Sequence, residues 1–115
     1  MPDDLLKVVT DATFADEVLL STTPVLVDFW AEWCPPCRPL ARTLATLAPS
    51  FAGRIVFAKL NSDENPESTR AYRVMSMPTL LLFRAGRPIT TIVGARPAAY
   101  LRAKLTEAVE PYANH

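Results

Sequence analysis

Two cysteines, Cys34 and Cys37, are the only ones in the chain, and they lie three positions apart in the stretch AEWCPPCRPL at residues 31–40. At the start of a helix, this spacing allows disulfide geometry, in which the two Cα atoms lie about 4.4–6.8 Å apart. Unpaired N–H groups and the positive end of the helix dipole stabilise a thiolate there. The pair is therefore a candidate for thiol–disulfide exchange, with Cys34 as the attacking and Cys37 as the resolving cysteine.

The same cysteines could also form a structural disulfide or part of a metal site. A permanent disulfide is rare in a reducing cytosol, and 115 residues, half of them hydrophobic, can form a core without one. A structural zinc site needs four ligands, whereas the chain has two cysteines and one histidine, His115. Acidic side chains or a second chain would have to complete such a site. Haem attachment is excluded because Arg38 stands where a histidine would be needed.

The composition limits the classes of partner and location. Twelve Lys and Arg residues balance twelve Asp and Glu residues, so charge gives no reason to expect a nucleic acid or an anionic membrane as partner. No apolar run approaches the roughly 20 residues that cross a bilayer, and the first residues show no secretory signal pattern. We expect one domain over residues 1–115, in a cytoplasmic monomer. The three glycines form no phosphate loop, so no bound cofactor is expected.

Strands and helices alternate along the chain in a way that places the cysteines. Strands are predicted at residues 5–9, 25–30 and 55–61 and in a hairpin around Gly86. Helices are predicted after the caps Thr13 and Asn65, at residues 36–48 and at residues 96–109, and the first of them is expected to bury Phe14, Val18 and Leu19. The order β-α-β-α-β-α-β-β-α predicts an α/β fold with a central mixed sheet and helices on both faces. The cysteines follow the buried strand VLVDFW, at the edge where open α/β sheets carry their sites.

A C-x-x-C motif within a βαβ pattern is typical of thioredoxin-type redox proteins. Over nearly its full length the chain resembles the thioredoxin family, in the stretches VDFWAEWCPPC, AKLNSDENP, MPTLLLFRAG and VGA. The resemblance implies the thioredoxin fold and a thiol-disulfide oxidoreductase that reduces protein disulfides. It also implies disulfide-containing protein substrates and regeneration by NADPH through a thioredoxin reductase.

The resemblance further implies roles for individual residues. Asp28 matches the buried aspartate that handles the proton of the resolving cysteine, and burial should raise its pKa. Lys59 matches the lysine that faces this aspartate; the alternative is a surface strand lysine without such a role. Pro78 matches a cis-proline beside the cysteines, so its bond to Met77 is expected to be cis. The matching substrate-binding residues, among which the two methionines could instead fill the core, are Trp33, Pro35, Pro36, Met75, Met77, Pro78, Gly94 and Ala95.

The chain departs from the family pattern near the cysteines. Pro35 and Pro36 replace the usual Gly-Pro, which removes two N–H groups after Cys34 and leaves that of Cys37 as the nearest donor to the Cys34 sulfur. Arg42 stands where a helix-kinking proline is usual. These departures leave two other functions open: a disulfide oxidase or isomerase of the same fold, and a binding subunit whose redox activity is incidental.

Overall fold

The computed structural model describes residues 5–113, with side chains described for residues 5–110. The strands are β1 Lys7–Val8, β2 Val25–Trp30, β3 Val56–Asn61, β4 Thr79–Arg84 and β5 Arg87–Val93. The helices are α1 Cys37–Leu47, α2 Pro66–Ala71 and α3 Ala98–Ala113, with a π-helical segment Ala15–Leu19 and a 3₁₀ turn Ala48–Phe51. The element order predicted from the sequence is therefore confirmed. None of the helices within residues 5–113 combines the length and apolar character that a membrane crossing requires.

The five strands form one mixed sheet in the order β1-β3-β2-β4-β5. Strand β2 lies in the middle, parallel to β3 on one side and antiparallel to β4 on the other. Strands β4 and β5 form the predicted antiparallel hairpin. Its turn contains Ala85 and Gly86, both with positive φ, which suits the twist of a tight hairpin. Because β2 is central, whatever follows its carboxyl end lies in the middle of one sheet edge.

Hydrophobic clusters cover both faces of the sheet. On one face Val27 and Phe29 of β2 pack in a cluster with Phe14 and Val18 from the π-helical segment. On the other face Leu26 belongs to a cluster with residues of α1 and α3, namely Leu40, Leu44, Leu101 and Leu105. Each buried side chain of this size contributes about 1.5–3 kcal/mol through removal of apolar surface from water. The predicted fold class, a sheet with helices on both faces, is confirmed.

The predicted cap at Thr13 is wrong. The segment that follows begins after Phe14, without a side-chain cap. The Thr13 hydroxyl instead accepts a hydrogen bond from the Thr10 N–H, at 2.9 Å. Burial of Phe14 and Val18 is as predicted, whereas Leu19 is only half-buried. A short hydroxyl side chain can satisfy backbone groups on either side of it, so the residue type alone does not decide which one it pairs with.

The amino end of α2 is capped from a distant part of the chain. Asn65 occupies the N-cap position, as predicted, but its side chain makes no cap bond. It accepts instead from the Asp11 N–H, at 2.8 Å. The Asp11 carboxylate accepts from the backbone N–H groups of Ser68, at 2.8 Å, and Glu67, at 3.1 Å. Burial acts to raise the pKa of Asp11, but the hydrogen bonds from Ser68 and from the Glu67 amide outweigh it and hold the pKa below its ordinary value.

We expect Asp11→Ala to lower the free energy of unfolding by about 1 kcal/mol at pH 7, the usual cost of losing a helix cap. Because the folded-state pKa is lowered, the contribution is present above the unfolded-state value of about 3.9 and is lost as pH falls through the folded-state pKa. Urea unfolding of both proteins at pH 7 and pH 3 measures the difference. Asp16→Ala, at an exposed aspartate, is the control. An equal loss at both pH values would contradict the proposed role of the carboxylate.

Candidate active site

The two cysteines lie in the connection between β2 and α1. They form a disulfide with Cα atoms 5.5 Å apart, within the predicted window. Cys37 is the first residue of α1, whose N-cap is Pro36, so Cys34 lies just before the helix rather than at its cap. The Cys34 N–H donates to the Ala31 carbonyl oxygen and the Cys37 N–H to the Cys34 carbonyl oxygen, both at 3.2 Å. The Cys37 N–H, expected to be the nearest donor to the Cys34 sulfur, is therefore used by a backbone oxygen in the disulfide form. Helix α1 continues through Arg42.

A cluster of side chains surrounds the disulfide. Cys34 and Cys37, only 3% and 2% exposed, form a buried cluster with Ala31, against which Trp30 and Met77 pack. Trp30 is the last residue of β2. The other residues of this strand are buried, whereas Trp30 is half-buried. Met77 is likewise half-buried, so it both fills space and reaches the surface. With so little of the cysteines exposed, a partner has to dock on the surrounding surface to reach a sulfur atom.

The remaining predicted substrate-binding residues lie on three separate loops. The bond between Met77 and Pro78 is cis, as predicted. The Gly94 N–H donates to the Pro78 carbonyl oxygen, at 2.9 Å, which joins the loop after β5 to the loop before β4. Trp33 is 64% and Met75 90% exposed, and the other exposed members of the set are Pro35, Pro36 and Ala95. Met75 therefore does not fill the core.

Asp28 lies inside the sheet, in register with Lys59 on β3. Only 1% of Asp28 is exposed, and neither of its carboxyl oxygens has a hydrogen-bond partner among residues 5–110. Burial raises the pKa of Asp28 to about 7, against the opposing effect of the Lys59 charge. The expectation of a desolvated carboxyl is confirmed. A carboxyl with this pKa can release or accept a proton near neutral pH.

Two residues beside the site, Ser62 and Asp63, were not predicted from the sequence to contact it. Asp63 accepts a hydrogen bond from Trp33 Nε1, at 2.8 Å, across 30 residues. Ser62 is buried, and its N–H donates to the Trp30 carbonyl oxygen, at 2.8 Å. Both residues lie in the stretch AKLNSDENP, which carries part of the family resemblance but for which no role was predicted at Ser62 or Asp63. The sequence contains no signal for these contacts, because they depend on how the loop after β3 packs beside the cysteine turn.

Comparisons with known proteins find relatives over most of the chain. The family model for Thioredoxin matches residues 5–107. The thioredoxin of Mycobacterium tuberculosis is 50% identical over 101 residues, covering 88% of this chain and 87% of that protein. The thioredoxin of Streptomyces clavuligerus is 52% identical over 97 residues, covering 84% of this chain and 90% of that protein. A bifunctional thioredoxin reductase/thioredoxin of Mycobacterium leprae is 46% identical over 101 residues, which are 88% of this chain and 22% of that protein.

A cysteine pair at disulfide distance, placed where the central strand of a mixed sheet leads into a helix, defines a thiol–disulfide oxidoreductase. The chain belongs to the thioredoxin family, since the family model and relatives about half identical to it cover most of its length. Its activity is thiol–disulfide exchange with disulfide-containing substrates at Cys34 and Cys37. The alternative functions, an oxidase or isomerase and a binding subunit, are not favoured.

We expect Asp28→Asn to change how stability depends on pH. Because the folded-state pKa lies above the unfolded-state value, the folded protein holds a proton that the unfolded chain releases. Wild-type stability therefore falls as pH rises from about 4 to about 7. The free energy of unfolding of the variant should not fall in this way. Between pH 4 and pH 8 it should therefore rise, relative to that of the wild type, by on the order of 4 kcal/mol.

Urea unfolding of the disulfide forms at pH 4, 6 and 8 checks this expectation. Asp16→Asn, at an exposed aspartate, is the matched control and should follow the wild type at every pH. If the free energy of unfolding of Asp28→Asn changes with pH in the same way as that of the wild type, Asp28 is not the buried titrating group.

Proposed function

We propose that this protein is a cytoplasmic protein-disulfide reductase in which Cys34 attacks, Cys37 resolves and Asp28 takes up the proton of Cys37. The observation that carries the proposal is the placement of the cysteine pair: Cys34 precedes α1 and Cys37 begins it. The positive end of a helix favours a thiolate at this position. A thiolate, not a thiol, is the nucleophile in disulfide exchange.

In the first step the Cys34 thiolate attacks one sulfur of the substrate disulfide. A bond forms between Cys34 Sγ and that sulfur, the substrate S–S bond breaks, and the second substrate sulfur leaves as a thiolate. The product is a mixed disulfide between protein and substrate. Because Cys34 is only 3% exposed, this step requires the substrate to settle on the surface around the cysteines.

In the second step Cys37 transfers its proton to the Asp28 carboxylate, directly or through a bridging water. The Cys37 thiolate then attacks Cys34 Sγ, the mixed disulfide breaks, and the remaining substrate sulfur leaves as a thiolate. Two electrons have then passed from the cysteine pair to the substrate. The Lys59 charge opposes the effect of burial on the pKa of Asp28. We therefore assign Lys59 the role of holding this pKa close to neutral, where a general base is most effective.

We assign docking of the substrate polypeptide to the apolar surface around the disulfide. The residues of this docking surface are Trp33, Pro35, Pro36, Met75, Met77, Gly94 and Ala95, with the buried Pro78 beneath it holding the loop that carries the two methionines. Exposed tryptophan and methionine side chains supply apolar contact area, and methionine adapts its shape to different partners. A surface of this kind suits a protein that must accept many different disulfides.

We further propose that the oxidised protein is regenerated by NADPH through a separate thioredoxin reductase and holds no bound cofactor itself. The relative that joins a thioredoxin reductase and a thioredoxin in one chain supports this partnership. A reducing cytoplasm is the compartment in which such a dithiol is kept reduced. We expect the protein to act as a single-domain monomer, with the docking surface left accessible to partners.

Replacement of single cysteines tests the assigned roles. Cys37→Ser retains the attacking thiol but cannot resolve the intermediate, so it should accumulate a mixed disulfide through Cys34. Cys34→Ser should form none, and both variants should lose catalytic turnover. Incubation with a disulfide-containing protein, followed by intact-mass analysis without reductant, detects the intermediate. Trapping by Cys34→Ser and not by Cys37→Ser would show that the roles are reversed, and equal trapping by both variants would contradict the assignment of separate roles.

The reduction potential of the cysteine pair tests the direction of the reaction. We expect a value near about −270 mV, the level of a cytosolic reductant. Titration in thiol redox buffers can be followed by the fluorescence of Trp30, which packs against the cysteines, with the Cys34→Ser variant as a blank that shows no transition. A potential above roughly −200 mV would instead make the protein an oxidase or isomerase.

A further inference from the structure

An open groove of about 540 Å³ lies between the loop after β3 and the carboxyl end of α2. Its lining includes the buried residues Ser62 and Val74 and the exposed residue Met75. The charged residues that line it are Arg70 and Arg73. The groove is thus an apolar depression with two cations at its border.

Two neighbouring residues, Trp30 and Met77, connect the groove with the cysteine cluster. The Ser62 N–H donates to the carbonyl oxygen of Trp30. Met75 lies two residues before Met77. Trp30 and Met77 both pack against the cluster that contains Cys34 and Cys37. A polypeptide whose disulfide reaches Cys34 can therefore place neighbouring residues in this groove.

The backbone at Arg73 has a conformation that favours glycine, with φ at 55°. It follows the end of α2, where the Arg73 N–H donates to the Arg70 carbonyl oxygen and the Val74 N–H to the Thr69 carbonyl oxygen. Helix ends with this pattern usually carry glycine at the left-handed position, because a side chain is strained there. Strained residues of this kind collect at functional sites, where the side chain has a use. A cation such as Arg70 in the last turn of α2 is already favoured by the negative end of the helix dipole. Arg73 is therefore the stronger indication of a function.

Among residues 5–110, the two arginine side chains and the Ser62 hydroxyl of the groove have no ion-pair or hydrogen-bond partner, whereas the Thr69 hydroxyl donates to the Asn65 carbonyl oxygen, at 2.9 Å. Arg70 and Arg73 are exposed and form no ion pair with any residue in the part of the chain described. The nearby acidic residues Asp63, Glu64 and Glu67 do not line the groove. The Ser62 hydroxyl oxygen is buried and has no hydrogen-bond partner among residues 5–110. The two exposed cations are thus available to a ligand that carries negative charge.

We propose that this groove binds an acidic side chain located beside the disulfide of the target polypeptide, and that Arg70 and Arg73 thereby determine substrate preference. The inference rests on the proposed reductase function and adds a substrate class to it. The arginines attract and orient the carboxylate. Neither arginine takes part in the exchange reaction itself.

The test uses two peptides with the same disulfide that differ only in carrying Glu or Gln at the flanking positions. For each peptide kcat/KM for reduction is measured at low salt with the wild type, Arg73→Gly and Arg70→Gln. Arg102→Gln, at an exposed arginine of α3 that does not line the groove, is the matched control. We expect the wild type and the control to prefer the Glu peptide. Each groove variant should lose about two- to fivefold of this preference, the range of exposed ion pairs.

The peptide with Gln distinguishes a failure of the reductase function from a failure of the proposed preference for acidic substrates. Its reduction at similar rates by all four proteins shows that the exchange chemistry is intact, whereas failure of the wild type to reduce either peptide would overturn the reductase function instead. The unfolding midpoint of Arg73→Gly should equal or exceed that of the wild type, because glycine relieves the strain. The inference would be overturned by a lower unfolding midpoint of Arg73→Gly or by an equal preference for the Glu peptide in all four proteins. It would also be overturned if Arg102→Gln lost as much of this preference as the groove variants.

Discussion

Burial of β2 on both faces is the constraint on which the fold and the site both depend. Val27 and Phe29 pack towards the π-helical segment, while Leu26 packs towards α1 and α3. Asp28 lies between these residues in a strand with neighbours on both edges, so its carboxyl is removed from water together with them. The packing that stabilises the sheet therefore also moves the pKa of this carboxyl into the neutral range. Burying a carboxyl costs free energy, and the proposed exchange of a proton with Cys37 gives this cost a function.

The carboxyl end of the same strand leads directly into the cysteine turn, and other parts of the chain complete the surface around it. The loop that contains Pro78 and the loop that contains Gly94 are joined by a hydrogen bond, and Trp33 is held by Asp63 from the loop after β3. The disulfide thus lies at the meeting point of several loops on a rigid sheet. One side of this surface is apolar, which suits varied partners, and the groove beyond Met75 adds positive charge that can select among them.

Local patterns predicted the elements well where a single physical requirement dominates. The strand VLVDFW was predicted with its observed limits because it combines β-branched and aromatic residues with apolar side chains on both faces. The helix that follows differs by one residue at each end from the predicted range. Predictions for polar side chains were weaker. Thr13 and Asn65 were both expected to cap helices, but each bonds elsewhere, and Asp11 caps α2 from 56 residues away.

The sequence by itself determined the class of chemistry, since the spacing of Cys34 and Cys37 behind a buried strand admits few other uses. It also determined the position of Asp28 in that strand, because hydrophobic periodicity is a local property of the chain. Only the tertiary structure decided which side chains surround these groups: the contact of Trp33 with Asp63, the partly buried place of Trp30, and the groove with Arg70 and Arg73. These features arise between segments far apart in sequence, and their geometry follows from how the helices and loops pack on the sheet.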